Sequence, residues 1–337
     1  MRLLKSLLVT FLIGLLAACS ANVDGEKGEG KGEIISLFAT DSSSSYYGYN
    51  VGIANAISTL NPEIQVSVVE TGGSSDNMQR LSKGEGKMAL GTSPSDYQTY
   101  FGEGDFKDIK NENIRALWYF VPSPFNFIIS DSAKINSFED LNGKDFSFGG
   151  SGTSTEKVTT AVFETLGIQP KSYAGSMSDA QASFADRRIA GLTKTGTAPD
   201  SYVQKTAAEQ KIKLLGLTAE QISSITEKLP YVGTNIIPAG SYEGVDEDVH
   251  TVQFTMSILL DSSVSQETGY KMWKAMWSEE GKKIWLNSFS PAADVNIPEL
   301  TLDSAIPLHA GTVQFLKEIG YEVPEEIIPP EYKEVKK

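Results

Sequence analysis

The sequence is poor in cysteine, histidine and positive charge, and each shortage removes a class of function. A single Cys in 337 residues leaves no internal disulfide and no cysteine-rich metal site. The two histidines, His250 and His309, stand in neither a metal-ligand spacing nor an obvious relay. There is no G-x-S-x-G elbow, and Asp246-Glu247-Asp248 lacks the glycine and spacing of a calcium loop. These absences argue against an enzyme, a resident metal and a cofactor, and leave a hydrolase or lyase as a poor reading. Lys and Arg number 29 against 43 Asp and Glu, a formal net charge of −14. Nucleic acid is therefore excluded as a partner, since phosphate binding needs clustered cations.

What remains is ordinary globular material. Hydrophobic residues make up 40% and charged residues 21%, which excludes a disordered chain, a fibre and a polytopic membrane protein. The length suggests about two domains of roughly 150 residues each.

The first 18 residues read as an export signal. Arg2 and Lys5 precede an apolar run, Leu7 to Leu16, about half the length of a bilayer span. Leu16-Ala17-Ala18-Cys19 resembles a bacterial lipobox, in which the Cys is lipidated and becomes the mature N-terminus. An ordinary signal peptide with a chance Cys is the alternative. Acyl chains on Cys19 would anchor the protein at the extracytoplasmic face of a bacterial membrane. Residues 19–33 are Gly- and charge-rich and read as a flexible tether, spanning about 20 Å r.m.s.. The GxxxxGK string at Gly25–Lys31 has no preceding strand and reads as low complexity.

From Ile34 short apolar runs alternate with helical patterns, which predicts α/β architecture with mostly parallel sheets. Strands are expected at 34–38, 65–69, 87–91, 115–120, 125–130, 145–148, 189–193, 211–215 and 249–260. Helices are expected at 46–60, 75–82, 155–166, 179–185, 198–209, 219–228, 266–277, 279–287 and 311–319. The Val121-Pro-Ser-Pro124 break suggests a chain leaving one domain for another. A return near residues 230–237 predicts a discontinuous α/β domain, 34–126 plus 233–337, with 127–232 inserted as a second.

Three polar turns join an expected strand to an expected helix. They are Asp41–Ser45, Thr71–Ser74 and Gly149–Thr153. Such turns share one edge of an open α/β sheet, where these folds bind ligands. Helix starts carry unpaired N–H groups and a positive dipole end, so they favour anions. Two readings stand: Ser and Thr as plain N-caps, with Thr153 and Glu156 fitting a capping box, or as ligand contacts. Arg187-Arg188 would suit a carboxylate clamp or plain surface. Trp273, Trp277 and Trp285 fall at helical spacings that suit core or interdomain packing.

Across residues 33–330 the chain resembles the TAXI family of TRAP-transporter solute-binding proteins. The resemblance rests on Ala39-Thr40 through Tyr46-Tyr47, Thr71–Asn77, Phe148–Thr153, Gly196–Pro199, Ile237–Tyr242 and Pro307–Gly311, in the family's order. Ser42–Ser45 departs from it, standing where the family usually has several glycines. The resemblance implies a type II periplasmic-binding-protein fold with a ligand cleft between two α/β domains. It also implies delivery of a small carboxylate, of the glutamate or 2-oxoglutarate kind, to a cation-coupled TRAP permease. The binding protein of an ABC importer and a ligand-sensing partner of a membrane receptor are the alternatives. A neutral or zwitterionic ligand stays open. Expected ligand contacts are Ser43, Ser44, Ser45, Thr71, Gly72, Ser74, Asn77 and Ser93 from the discontinuous domain. Gly149, Ser151, Gly152, Thr153 and Thr197 come from the inserted one, with Tyr46 and Tyr119 against the ligand's carbon chain.

Overall fold

The computed structural model describes residues 33–229 and 231–335. The expected leader, Cys19 and the tether as far as residue 32 lie outside the described residues, as does Pro230. In chain order the elements are β1 (Glu33–Phe38), α1 (Ser45–Leu60), β2 (Ile64–Val69), α2 (Ser74–Ser82), β3 (Met88–Thr92), α3 (Ser93–Phe101), β4 (Ile114–Ser130), β5 (Asp145–Ser147), α4 (Ser154–Leu166), β6 (Lys171–Ser172), α5 (Met177–Ala185), β7 (Gly191–Thr195), α6 (Ser201–Glu209), β8 (Ile212–Leu214), α7 (Ala219–Lys228), β9 (Gly233–Ile237), β10 (Val249–Asp261), α8 (Gln266–Trp277), α9 (Glu279–Leu286), α10 (Ile297–Thr301) and α11 (Ala310–Glu318). Among the described residues no helix is long and apolar enough to cross a membrane.

Two sheets share one strand. The first runs β2-β1-β3-β10-β4, parallel through β2, β1 and β3, with β9 added to the early part of β10. The second holds β6, β5 and β7 in parallel against the later half of β4, which also carries β8. Both sheets are thus mixed: β10 runs antiparallel to β3 and β4, and β7 antiparallel to β4. Alternating strand and helix patterns cannot reveal this, because the reversed strands are the long connecting ones.

β4 corrects the expectation of two strands split at Val121–Pro124. It runs unbroken for 17 residues through Pro122 and Pro124. Proline is tolerated because residues 121–124 pair with β10 alone, before β7 takes up the ladder at Phe125. The Pro124 carbonyl accepts instead from the Gly196 and Asn126 side of the second sheet.

The larger core wraps the first sheet and continues under α4. Trp118, Trp273 and Trp285 are fully buried within it. Each indole N–H finds an acceptor: Tyr49 Oη at 2.9 Å, the Leu117 carbonyl at 2.8 Å and the Met276 carbonyl at 2.9 Å. Trp277, by contrast, is half-buried and covered by Lys282. A smaller cluster joins Leu192, Phe184, Tyr202 and Ile212 to Ile237, Tyr242 and Val245.

The α3 helix was not expected. Thr92-Ser-Pro-Ser95 looks like a turn, yet Pro94 occupies the first helical turn, where it costs nothing. The helix predicted from Ala198 instead begins at Ser201, because Asp200 caps it by accepting from Tyr202 N and Val203 N. The α7 helix carries a full capping box: Thr218 Oγ1 accepts from Gln221 N at 3.2 Å and Gln221 Oε1 from Thr218 N at 3.0 Å. Thr218→Ala should cost about 1 kcal/mol in urea denaturation, whereas Thr218→Ser should be close to neutral.

Candidate functional site

Four helix starts meet at one cavity. The α1, α2 and α3 helices enter it from the first sheet at Ser44, Gly73-Ser74 and Thr92; α4 enters from the second at Thr153, Ser154 and Thr155. Thr40, Tyr46, Leu90, Met177, Lys194, Thr195, Phe254 and Met256 complete the wall. The cavity measures about 40 Å³, roughly a quarter of the engineered cavity that admits benzene.

The two sides touch around it. Ser74 Oγ donates to Ser154 Oγ at 2.8 Å, and Thr92 Oγ1 donates to the same oxygen at 2.7 Å. Ser45 Oγ donates to Asp200 Oδ2 at 2.6 Å, and the Ser178 hydroxyl to Asp41 at 3.0 Å. The Asp76 amide donates to the Gly152 carbonyl at 3.0 Å. The approach is close enough to need glycine at Gly73. Its φ is 121°, and a Cβ there would lie 2.8 Å from Thr153 Cγ2.

The α1 and α2 starts have no side-chain cap on their own N–H groups. Thr153 does cap α4, accepting from Glu156 N at 3.1 Å. Glu156 itself turns away, accepting from Gly152 N at 2.9 Å and lining a separate surface groove. The anion position is thus not filled by the protein's own carboxylate.

Among the described residues, Lys194 is the only charged one on the cavity wall. It is 3% exposed. Its ammonium donates to the Thr195 carbonyl, lies 4.9 Å from the centre of the Tyr46 ring and 3.7 Å from Asp200 Oδ2. Burial pulls its pKa below the ordinary lysine value, and the Asp200 carboxylate opposes that shift. Asp200 is fully engaged, accepting from Ser45 and from two backbone amides of α6.

Behind Thr92 lies Asp96, wholly buried. Its oxygens accept from Thr92 N, Ser95 Oγ, Tyr119 Oη and Ser257 Oγ at 3.1, 3.2, 3.0 and 2.6 Å. No cation is among these partners, and burial pushes its pKa up to about 7 against the pull of the hydrogen bonds.

Of the expected contacts, Ser44, Tyr46, Ser74 and Thr153 line the cavity. Ser45 stands one step back, on Asp200. Asn77 is spent on structure: its amide donates to the Phe38, Ala39 and Leu90 carbonyls, and its oxygen accepts from Thr71. Ser43 closes a turn on Asp41. Ser151 is exposed and accepts from Gly175 N. Gly72 packs toward Ser151, and Gly149 shapes the loop with φ 126°. Thr197 bonds the Pro122 carbonyl. Ser93 and Tyr119 line a different groove beside Tyr231. Arg187 and Arg188 are at the surface, where Arg188 pairs with Asp186. Sequence reasoning missed Lys194, although a lysine directly after the strand expected at 189–193, at the sheet edge that binds ligands, was the signal to use.

With the geometry described, the chain can be set beside known proteins. Residues 38–320 match the profile of the NMT1-like family. The chain belongs to the NMT1-like family. Among solved structures, this NMT1-like protein is similar to the periplasmic binding protein BugD, at 10% identity over 85% of this chain and 96% of that one, with a TM-score of 0.52. It is also similar to the alkanesulfonate-binding protein SsuA from Xanthomonas axonopodis pv. citri bound to MOPS, at 12% identity over 86% and 92% of the two chains, TM-score 0.48. A putative L-cystine ABC transporter protein from Listeria monocytogenes matches at 13% identity over 79% and 98%, TM-score 0.49. The likeness to BugD identifies the fold as that of a type II periplasmic binding protein.

Proposed function

We propose that this NMT1-like protein is an extracytoplasmic solute-binding protein that captures a small carboxylate and delivers it to a cation-coupled TRAP permease. The observation that carries the reading is the buried Lys194 on the wall of a cavity at which four helix starts converge. A buried cation and aligned N–H groups are worth far more to an anion than the same groups in water. The overall charge of −14 repels anions at long range, so capture rests on these local groups. The TAXI resemblance supports the TRAP partner and the lipid anchor at Cys19, and brings glutamate and 2-oxoglutarate into the set to be tested.

The mechanism is closure of one body on the other, the first being residues 34–126 with most of 233–337 and the second residues 127–232, on whose core Ile237, Tyr242 and Val245 also pack. β4 and β10 are the strands that run between them, and they meet where Gln253 pairs with Pro124. Opening breaks the contacts of Ser154 with Ser74 and Thr92, and of Ser45 with Asp200. A solute that touches both sides binds the closed form better, and only that difference shifts the population.

The test is a thermal-shift screen after unfolding and refolding to strip carried-over ligand. Carboxylates, amino acids, sugars, sulfonates and phosphate form the panel. Carboxylates at 100 times their dissociation constant should stabilise by about 2.7 kcal/mol. Stabilisation by neutral solutes alone would sink the carboxylate reading.

A further inference from the structure

The cavity wall divides into a charged end and an apolar floor. Leu90, Thr92, Phe254 and Met256 stand on one face of the first sheet, because Met256 pairs with Thr92 and each strand repeats every second residue. Met177, at the start of α5, adds a fourth apolar side chain. Among the described residues Lys194 is the only charge on the wall, and no carboxylate lines it.

We infer that the solute is a short-chain monocarboxylate, with its carboxylate on Lys194 and the helix-start N–H and hydroxyl groups and its few carbons on Leu90, Phe254, Met256 and Met177. The inference rests on the carboxylate reading above and narrows it. An amino acid would bring an ammonium with no carboxylate to receive it, since Asp200 lies off the wall and is already held by Ser45 and α6. A dicarboxylate would bring a second charge with no second cation, and part of it would be desolvated against the apolar floor.

The test is isothermal titration of the refolded full chain with acetate, propionate, butyrate, succinate, glutamate, 2-oxoglutarate and propionamide. Propionate or butyrate should bind at least about tenfold more tightly than succinate, glutamate or 2-oxoglutarate, and propionamide should not compete. Met177→Ala enlarges the floor and should move the optimum to a longer chain. Tighter binding of succinate, glutamate or 2-oxoglutarate than of every monocarboxylate overturns this inference and leaves the carboxylate reading standing. Propionamide binding as well as propionate, or no carboxylate binding at all, overturns both. An unmoved chain-length optimum in Met177→Ala removes the floor from the account.

Discussion

Lys194→Met is expected to weaken carboxylate binding by about a hundredfold or more, and to lower folding stability by about 3–5 kcal/mol. Both effects follow from one ammonium. Among the described residues it supplies the only charge on the cavity wall, and it lies 3.7 Å from the buried Asp200. Removing it leaves Asp200 buried without a counter-charge, although three hydrogen bonds still reach its oxygens. A second substitution separates the two losses. Asn at position 200 can still cap α6 and bond Ser45, but carries no charge. The double variant Lys194→Met/Asp200→Asn should therefore return to within about 1–2 kcal/mol of the parent in urea denaturation. Its affinity for propionate, measured by titration calorimetry, should stay as low as that of the single variant. Recovery of binding in the double variant would mean that Lys194 acts only as the partner of Asp200 and not as the anchor of the solute.

The way Lys194 escaped notice in the sequence says what a sequence can carry here. Helices such as α1, with Ile53 and Ile57 on its buried side, and α4, with Val158 and Val162, repeat at helical spacing and were legible. So were the strand-to-helix turns at Ser44, Ser74 and Thr153. What these turns do was not legible, because a hydroxyl that caps a helix and one that faces a cavity are the same residue in the chain. Asn77 looked like a ligand contact and serves three backbone carbonyls. Ser154 lay one residue beyond the expected contact and joins both sides of the cavity. Lys194 and Asp200 pair across the short turn from β7 to α6, and it is the path of that turn, not the spacing of the two residues, that brings them together. The reversed directions of β10 in the first sheet and β4 in the second were hidden too, since strand polarity is set by connections and not by the pattern of apolar residues.

Stability should be nearly flat between about pH 4 and 7 in the parent and steep, with opposite slopes, in two single variants. His309 is buried and caps α11, accepting from Gly311 N on Nδ1 at 3.1 Å while Nε2–H donates to the Val264 carbonyl at 3.0 Å. Protonating Nδ1 would destroy the cap and set a cation against the positive end of the helix. Burial accordingly lowers its pKa from 6.5 to about 4, over the opposing pull of the Val264 carbonyl. A lowered basic pKa means that the unfolded chain binds the extra proton first. The His309 contribution is complete above about pH 6.5 and is lost as pH falls to about 4, amounting to about 3 kcal/mol. Asp96 has the reverse sign. Its pKa is raised from 3.8 to about 7, so its contribution is complete below about pH 3.8 and is lost as pH rises to about 7. The two changes fall in the same window and offset each other, whereas the lowered carboxylates, Asp41, Asp140 and the exposed Glu63, act at its acid edge and below. In His309→Asn the cap oxygen is kept and the titration removed, so urea midpoints should fall as pH rises from 4 to 7. In Asp96→Asn the amide can donate to Tyr119 and Ser257 while its oxygen keeps Thr92 N and Ser95, and midpoints should rise over the same range. Parallel profiles for the two variants would show that these groups do not govern the pH response, whereas mirrored profiles would tie the flat response of the parent to two buried groups on separate helices.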